Sequence, residues 1–498
     1  MNISTLLDMA ADAFGDRTGV VCAETRLDYA TLRDKAWRAA RHFQAADVEY
    51  VALLDVTSPA APVTLFGAAY AGIPFVPLNY RLTKAEINAL LDRVSPVLVI
   101  AGPDQLGQIE AREGVTAMTR DALLSLPDDG AEPPIAPEDP SAVAVQLFTS
   151  GTTGAPKAAI LRHENLTSYI IGTVEFAAAE ETDAIVVTVP PYHIAGISAV
   201  LSSTYACRRM VQLEAFEPAA WLAAVRNEKV SNAFLVPTML QRVVEHLSDR
   251  GEAAQLPSLR ALAYGGGKMP LTVIAKAMAL FPSVDFTNAY GLTETSSTVA
   301  VLGPDDHRMA VASDDPLIRR RLGSVGRATG AVEIQIRNED GAVLAAEDAG
   351  LVFVRGPQVS GEYLSQGSQL DAEGWFPTKD RGYLDADGYL FLDGRDDDVI
   401  VRGGENISPG EIEDVLMTHP AVADVAVVAM PDEQWGEAVA AAVVCKPGSI
   451  VSDADLKALV RDRLRSSRVP QRIVFKAALP YTETGKLLRR VIRAELLS

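Results

Sequence analysis

The sequence predicts an α/β fold: a large N-terminal domain of two doubly wound sheets with a small β-barrel-like lobe, and a smaller α+β C-terminal domain. Between about residues 50 and 300, short apolar runs alternate with longer amphipathic stretches, which is typical of parallel sheets covered by helices on both faces. From about 320 to 393, short alternating strands with glycine turns indicate the small lobe. The C-terminal candidates are helices at 409–418 and 453–465 and strands at 422–430 and 438–445.

The chain has 498 residues, too many for one hydrophobic core, so at least two domains are expected. The string GRDDD at 394–398 interrupts the chain where the strand pattern of the lobe ends. We therefore place an N-terminal domain at 1–393, a hinge at 394–397 and a C-terminal domain at 398–498.

Charge and composition exclude several classes of protein. Lys and Arg number 45 against 65 Asp and Glu, and a net charge of −20 disfavours nucleic-acid binding. The sequence lacks a run of about 18 apolar residues, so we expect no membrane span. The three scattered cysteines fit a reducing compartment, and we expect a cytoplasmic protein.

Loops rich in glycine, threonine and aromatic residues follow several of the predicted strands. In open α/β sheets, ligands bind beyond the carboxyl ends of the strands, so these loops predict one shared cleft. The loops lie at 149–154, 190–193, 237–238, 264–267 and 288–291. Four residues at or beside the loops 237–238 and 264–267 are candidate walls of a pocket for the acid. They are Val236, Met239, Tyr264 and Gly266.

The strongest local signal is the string FTSGTTGAPK at 148–157. Its glycines let the backbone approach an anion closely, and its hydroxyl and N–H groups suit phosphate oxygens. The predicted phosphate-binding residues are Thr149, Ser150, Gly151, Thr152, Thr153 and Gly154. Lys157 adds a positive charge suited to the outer phosphates. An isolated Thr-Ser-Gly triplet would be interpreted as a flexible turn, but the full string favours phosphate binding. It does not match a Walker P-loop.

The string resembles the phosphate-binding signature of the ANL superfamily of adenylate-forming enzymes, which comprises acyl-CoA synthetases, peptide-synthetase adenylation domains and luciferases. Further motifs follow in the family's order, over roughly residues 15–495. The segment 290–294 resembles the one in which Tyr290 would stack on adenine, Thr293 would contact phosphate and Glu294 would hold Mg²⁺. Gly265 and Gly266 precede it and are expected to bind the nucleotide as well.

Three later segments complete the resemblance. In 375–380, Asp380 would bind both ribose hydroxyls, and Arg395 would contact ribose or phosphate. In 480–486, Lys486 would bridge the substrate carboxylate and the α-phosphate. Gly403 and Gly404 resemble the loop that lines a pantetheine tunnel once a mobile C-terminal domain has rotated about Asp397. A Gly-Gly turn before a capped helix would look the same, and both interpretations can hold.

The residue types suit the reaction that the resemblance implies. A carboxylate must attack an anionic α-phosphate, so Lys157, Glu294 with Mg²⁺, and Lys486 would each neutralise charge. The implied activity is that of an acyl-CoA synthetase that uses ATP, Mg²⁺ and CoA to convert a carboxylic acid through acyl-AMP into a thioester. His193 is placed by the resemblance between the nucleotide and the acyl pocket, and we group it with Lys486, Thr293 and Glu294 as catalytic.

Three departures from the family pattern stand out. Ala158 follows Lys157 where glycine is usual, and the hinge carries three consecutive acids, which can displace the assignment by one residue. Lys379 stands where the ribose segment usually has glycine. If that position needs a positive φ, lysine there costs about 1–2 kcal/mol.

The acyl acceptor and the acid stay open at this stage. The alternative to CoA is a stand-alone adenylating enzyme that loads a carrier protein or another nucleophile. A catalytically inactive nucleotide-binding regulator is the hypothesis from a different class, and the presence of Glu294 and Lys486 argues against it. The candidate pocket walls are apolar or aromatic, so we expect an aryl or medium-chain fatty acid. A homodimer or a carrier-protein partner is also compatible with the sequence.

Overall fold

The computed structural model describes residues 1–128, 130–149, 156–251, 255–403, 405–482 and 487–497. The chain forms two compact units. The first unit consists of Met1–Leu322, Arg327–Glu333 and Val354–Phe376, and the second of Gly323–Gly326, Ile334–Phe353 and Pro377–Ser498. Within the described ranges, every helix is too short or too polar to cross a membrane.

A nine-stranded sheet forms one half of the first unit. In spatial order its strands are Arg327–Ala328, Ser297–Leu302, Asp285–Leu292, Ala261–Gly265, Asn232–Leu235, Ala184–Val187, Arg209–Gln212, Thr18–Cys22 and Thr25–Asp28. The central strands are parallel and the edge pairs antiparallel. A parallel centre brings the carboxyl ends of successive strands to one edge, which positions their loops together.

An eight-stranded sheet forms the other half. Its order is Gly367–Ser368, Glu362–Tyr363, Lys157–Arg162, Val143–Thr149, Phe75–Pro77, Tyr50–Leu54, Val97–Ala101 and Val115–Thr119. The last five strands run parallel, and the first three pair antiparallel. Lys157–Arg162 therefore has an antiparallel neighbour on each side.

Helices cover both sheets of the first unit. Tyr29–Ala45 begins where Asp28 accepts a hydrogen bond from the Thr31 N–H at 2.7 Å, which satisfies one of the free donors at its N-terminus. It packs against Ala60–Ala71, which is buried on nearly all sides and accordingly apolar throughout. The other helices of this unit are Ser4–Phe14, Lys84–Leu91, Arg120–Leu124, His163–Thr173, Ile194–Tyr205, Pro218–Asn227, Pro237–Arg250, Leu271–Leu280, Pro304–Ala312 and Pro316–Arg319.

The second unit contains most of a four-stranded sheet and all of a five-stranded one. The four strands are Glu333–Arg337, Gly350–Arg355, Phe376–Leu384 and Leu390–Arg395. The five are Glu405–Ile407, Ile400–Arg402, Gly436–Cys445, Val422–Asp432 and Arg472–Lys476. Its helices are Pro409–Met417, Asp453–Arg463 and Arg489–Leu497. The apolar side chains of this sheet pack on these helices, as Val427 and Val443 do beside Ile412 and Leu456.

The predicted fold class is confirmed, and most predicted strands lie within two residues of their observed positions. The strand predicted at 438–445, for example, is the strand Gly436–Cys445. The predicted domains at 1–393 and 398–498, with a hinge at 394–397, stay a prediction. At that point the strand Leu390–Arg395 passes into a 3-10 turn, Asp396–Asp398, inside the second unit.

The start of the chain is held by a buried histidine. His163 is 2% exposed, and its Nδ1 accepts a hydrogen bond from the Ile3 N–H at 3.2 Å. Because Nδ1 accepts, the ring is neutral and carries its proton on Nε2. Burial, with a smaller contribution from the nearby N-terminal amino group, lowers the pKa of His163 from 6.5 to about 4.

This pKa makes stability depend on pH. As the pH falls from about 6.5 to about 4, His163 becomes protonated in the unfolded state but stays neutral in the folded state. The free energy of unfolding should therefore fall over that window, by up to about 3 kcal/mol from this group. His163→Asn keeps an acceptor for Ile3 but does not titrate, so urea unfolding should show a shallower pH slope. His246→Asn, a partly buried histidine of Pro237–Arg250, is the control, and an unchanged slope in His163→Asn would contradict the assignment.

Candidate active site

The predicted phosphate string occupies a β-hairpin. Thr149 ends one strand, Lys157 begins the next, and the two residues are register partners. The Thr149 hydroxyl donates to the Lys157 carbonyl at 3.3 Å. The loop residues Ser150, Gly151, Thr152, Thr153 and Gly154 lie outside the described residues. A strand follows the loop where a Walker P-loop would have a helix, so the prediction that the string is not a Walker loop is consistent with this topology.

The segment that carries Tyr290, Thr293 and Glu294 turns sharply. Tyr290 lies in the strand Asp285–Leu292, and Thr293 and Glu294 open the 3-10 turn Thr293–Thr295. The Leu292 N–H donates to the Thr295 hydroxyl at 2.9 Å, which closes the turn.

Two serines after this turn have strained backbones. Ser296 and Ser297 have φ values of 55° and 117°, a region that costs side-chain-bearing residues about 1–3 kcal/mol each. A Cβ on Gly291 would lie 1.7 Å from the Ser297 carbonyl oxygen, so this turn requires glycine there. The strain must be balanced by contacts from elsewhere in the chain.

Those contacts come from residues 358–361. Gln358 is 5% exposed, and its Nε2 donates to the carbonyls of Thr295 at 3.0 Å and Thr298 at 2.8 Å. The N–H groups of Ser360 and Gly361 both donate to the Glu294 carbonyl, at 2.9 and 3.1 Å. Four hydrogen bonds thus fix the backbone on which the Glu294 side chain stands.

Tyr363 brings Lys157 and Glu294 together. Its hydroxyl donates to Oε1 of Glu294 at 2.5 Å. The ammonium of Lys157 lies 5.3 Å from the centroid of the same ring, within the range of a cation–π interaction. Lys157, predicted for the outer phosphates, and Glu294, predicted for Mg²⁺, therefore contact the same tyrosine although they lie far apart in the sequence.

Gly265 and Gly266 lie where a neighbouring strand passes closely. Gly265 pairs with Ala289, and a Cβ on it would lie 2.1 Å from the Ala289 carbonyl oxygen. Gly266 has φ +82° and lies near Val236. Tyr264 just before them is fully buried and hydrogen-bonded to His307 at 2.8 Å, so its hydroxyl points into the core. That corrects its prediction as a pocket wall.

His193 immediately precedes the helix Ile194–Tyr205 and lies against Tyr192, with ring centroids 4.5 Å apart. Tyr192 in turn meets Tyr80 edge to face at 5.6 Å. Burial lowers the pKa of His193 from 6.5 to about 4. The ring is therefore uncharged at neutral pH and can orient a ligand, but it does not supply positive charge.

Asp380 and Arg395 form an ion pair across two strands of the second unit. They are register partners, and Arg395 NH1 lies 3.2 Å from Oδ1 of Asp380, which is 6% exposed. The Asp380 N–H donates to the Thr378 hydroxyl at 3.1 Å, and that hydroxyl donates to the Val352 carbonyl at 2.8 Å. The two residues predicted to bind ribose thus position each other.

Lys379 has the conformation that the sequence comparison with the family anticipated. Its φ is +63°, in the left-handed region that favours glycine, and its side chain is exposed. The departure from glycine at this position therefore places a strained residue directly beside Asp380.

Gly403, predicted for the CoA tunnel, also has a positive φ, +60°. Its N–H donates to the Trp435 carbonyl at 2.8 Å, and a Cβ would lie 2.7 Å from the Trp435 ring. Gly404 and Lys486 lie outside the described residues. Tyr481 and Leu487, on either side of the Lys486 segment, form an isolated antiparallel bridge.

Sequence reasoning missed Tyr363, Gln358 and the Arg162–Glu362 pair. Arg162 binds Glu362 through Nε at 3.0 Å and NH2 at 2.9 Å, a bidentate pair that joins their strands. The only signal for them was the polar and aromatic string QVSGEY at 358–363, which has no strand or helix period.

Matches to two family models show the class of the protein, which is an adenylate-forming enzyme. A family model described as AMP-binding enzyme matches residues 7–364, and one described as AMP-binding enzyme C-terminal domain matches residues 411–486. The chain belongs to this family, which confirms the predicted ANL membership.

Three relatives match nearly the whole chain. Indoleacetate–CoA ligase of Aromatoleum aromaticum is 31% identical over 99% of this chain and 98% of its own. Feruloyl-CoA synthase of Amycolatopsis sp. is 34% identical over 96% and 95%. Fatty acid–[acyl-carrier-protein] ligase ScoC of Streptomyces coeruleorubidus is 30% identical over 95% and 92%.

Among solved structures, o-succinylbenzoate CoA synthetase of Bacillus subtilis is similar in two states, each 26% identical. In complex with the acyl-adenylate intermediate, it gives a TM-score of 0.83 over 98% of this chain and 97% of its own. In complex with ATP and magnesium ion, it gives 0.82 over 99% of each chain. At this coverage, the likeness extends over both compact units.

The strain at Lys379 yields a prediction. Lys379→Gly should stabilise the protein by about 0.5–1 kcal/mol, because relief of the positive φ outweighs the greater freedom of glycine in the unfolded chain. Arg461→Gly, on the exposed face of the helix Asp453–Arg463, is the matched control and should destabilise by about 1 kcal/mol. Urea midpoints at constant m-value measure both, and a less stable Lys379→Gly variant would refute the strain.

Proposed function

We propose that the protein is an AMP-forming acid–CoA ligase whose substrate is an aromatic carboxylic acid. The observation that carries the proposal is the full-length match to relatives named indoleacetate–CoA ligase and feruloyl-CoA synthase, whose acids both contain an aromatic ring. The predicted ligase activity, with ATP, Mg²⁺ and CoA, is confirmed at the level of the relatives, which include a structure with ATP and magnesium.

The reaction has two half-reactions. In the first, a carboxylate oxygen attacks the α-phosphorus of ATP, the bond to the leaving pyrophosphate breaks, and acyl-AMP forms. In the second, the thiol of CoA attacks the acyl carbon, the carbon–oxygen bond to AMP breaks, and the thiol proton is released. The first step brings two anions together, so fixed positive charge lowers its barrier.

The residues of the first unit fit a magnesium ion. Tyr363 engages Oε1 of Glu294, which leaves Oε2 as a hard anionic oxygen of the kind that Mg²⁺ prefers. Mg²⁺ bound there would neutralise phosphate charge. Lys157 beside Tyr363 supplies a second positive charge, suited to the pyrophosphate as it leaves.

The second unit supplies the remaining proposed contacts. Asp380 and Arg395, paired at 3.2 Å, are proposed to contact the ribose hydroxyls and a phosphate of the nucleotide. Lys486 is proposed to neutralise the carboxylate and α-phosphate in the first half-reaction only.

Lys486→Ala should thus lose pyrophosphate release but still convert supplied acyl-AMP and CoA to the thioester. Equal loss of the two half-reactions would contradict that role.

The uncharged surroundings of His193 support the preference for an aromatic acid. His193 is neutral at pH 7, because burial lowers its pKa to about 4, and Tyr192 packs on it. Such walls favour an aryl ring and give no counter-charge to a second ionised group on the acid.

A pyrophosphate-release screen tests the proposal. With MgATP and CoA, aryl acids such as cinnamates and arylacetates should give higher kcat/KM than hexanoate or octanoate, and thioester should accumulate with AMP. Amino acids should give the lowest rates, because burial of a second charge is costly. Preference for an alkanoate over every aryl acid would overturn the aromatic assignment, although not the ligase activity.

A carrier protein is the second candidate acceptor, favoured by the match to a relative named fatty acid–[acyl-carrier-protein] ligase. Pyrophosphate exchange does not distinguish the acceptors, since both reactions share the first half. Thioester formation with CoA as the only thiol distinguishes them directly. Turnover with CoA assigns the acceptor, whereas single-turnover release of acyl-AMP in its presence favours a carrier protein or another nucleophile. A homodimer stays a proposal that light scattering would test.

A further inference from the structure

Tyr363 contacts two charged groups that the reaction needs at a fixed separation. Its hydroxyl donates to Oε1 of Glu294 at 2.5 Å, and its ring lies 5.3 Å from the ammonium of Lys157. Each of these side chains has several rotatable bonds and would otherwise sample many positions. One rigid side chain with two rotatable bonds limits both.

The backbone around Tyr363 would be the same with another residue at this position. Glu362–Tyr363 pairs with Ile160 and Ala159 through main-chain hydrogen bonds, which do not depend on the side chain. The strands are also joined by the bidentate pair of Arg162 and Glu362. Strand pairing therefore does not explain why a tyrosine stands here, and the two side-chain contacts do.

The two contacts use different parts of the side chain. The hydroxyl group fixes Glu294 in the orientation that leaves Oε2 available, while the face of the ring attracts the Lys157 ammonium without competing for a hydrogen bond. Phenylalanine would keep the second contact and lose the first. Leucine would lose both.

We propose that Tyr363 is a positioning residue that sets the distance between the metal-binding carboxylate of Glu294 and the phosphate-binding ammonium of Lys157 before MgATP arrives. The inference rests on the proposed function, since it assigns MgATP to this site. Because the two groups are placed before binding, the nucleotide need not order them, which raises affinity.

Calorimetric titration with ATP, in the absence of acid and CoA, tests the proposal in magnesium and in EDTA. Tyr363→Phe should weaken MgATP binding about tenfold, because binding must then restrict the Glu294 side chain that the hydroxyl no longer holds. The same variant should bind metal-free ATP as the wild type does, because the ring still holds Lys157. Tyr363→Leu should weaken both titrations. The control is Tyr169→Phe, which removes a hydroxyl that lies 3.5 Å from Thr298 Oγ1, near the same turn. It should alter neither the affinity for MgATP nor that for metal-free ATP.

A double-mutant cycle separates positioning from a general loss of structure. In a Glu294→Ala background, Tyr363→Phe should cost less than twofold in MgATP affinity, since its partner is gone. The proposal would be overturned if Tyr363→Phe kept the full affinity for MgATP. It would also be overturned if Tyr363→Phe lowered the affinity as much in the Glu294→Ala background as in the wild type. Cooperative unfolding with an unchanged m-value should accompany these results, because the variants keep the fold. If the Tyr363 variants bind MgATP as tightly as the wild type does, the role of Tyr363 is wrong but the proposed ligase function stands. If the wild-type protein does not bind MgATP, the role of Tyr363 and the ligase function are both wrong.

Discussion

The antiparallel pairing of Glu362–Tyr363 with Lys157–Arg162 is the contact on which the rest of the site depends. It carries Ser360, Gly361 and Tyr363 to the turn of Glu294, and it places Tyr363 beside the first residue of the hairpin strand. The pairing is reinforced by the bidentate bonds between Arg162 and Glu362. Without it, the turn at Thr293–Thr295 would lose the hydrogen bonds that the N–H groups of Ser360 and Gly361 donate to the Glu294 carbonyl. The half of the site that we propose for phosphate is therefore stabilised by a short strand that is remote in sequence.

Some of the positive-φ residues other than glycine lie next to proposed ligand-binding groups. In the first unit Ser296 and Ser297 follow Glu294, and in the second Lys379 precedes Asp380. A strained residue persists only where surrounding bonds over-determine it. Gln358 supplies such bonds in the first unit, and the Thr378 hydroxyl, between Asp380 and Val352, supplies them in the second. The carboxylates of Glu294 and Asp380 are thus held on rigid backbone. A site that stabilises charge during a reaction needs such fixed groups.

The fold class was predictable because it is encoded locally, whereas the phosphate role of the string at 148–157 stays a prediction. Alternating apolar runs locate the parallel strands, and the string at 148–157 carries its chemistry in consecutive residues. Tyr363 was not predictable, because its importance arises from two partners, one of them 69 positions away, and no periodicity marks it. Tyr264 was misassigned for a related reason: a strand-end position suggests a pocket, but His307 draws its hydroxyl into the core. The strain at Lys379 was predictable, since a lysine in place of a glycine already implied the positive φ that the structure has. The roles of Lys486, Gly404 and the loop 150–154 stay predictions, because they lie outside the described residues.

The central claim is that the acid is activated as a mixed anhydride with AMP. Transfer of ¹⁸O from a doubly labelled carboxylate tests it most directly. Attack of the carboxylate on the α-phosphorus makes one of its oxygens the bridge, and cleavage of the acyl carbon–oxygen bond by a thiol leaves that oxygen on AMP. With an aryl acid, MgATP and CoA, mass spectrometry should therefore find one ¹⁸O in AMP and one in the acyl-CoA. Label in inorganic phosphate with unlabelled nucleotide would show activation as an acyl phosphate and would contradict the account.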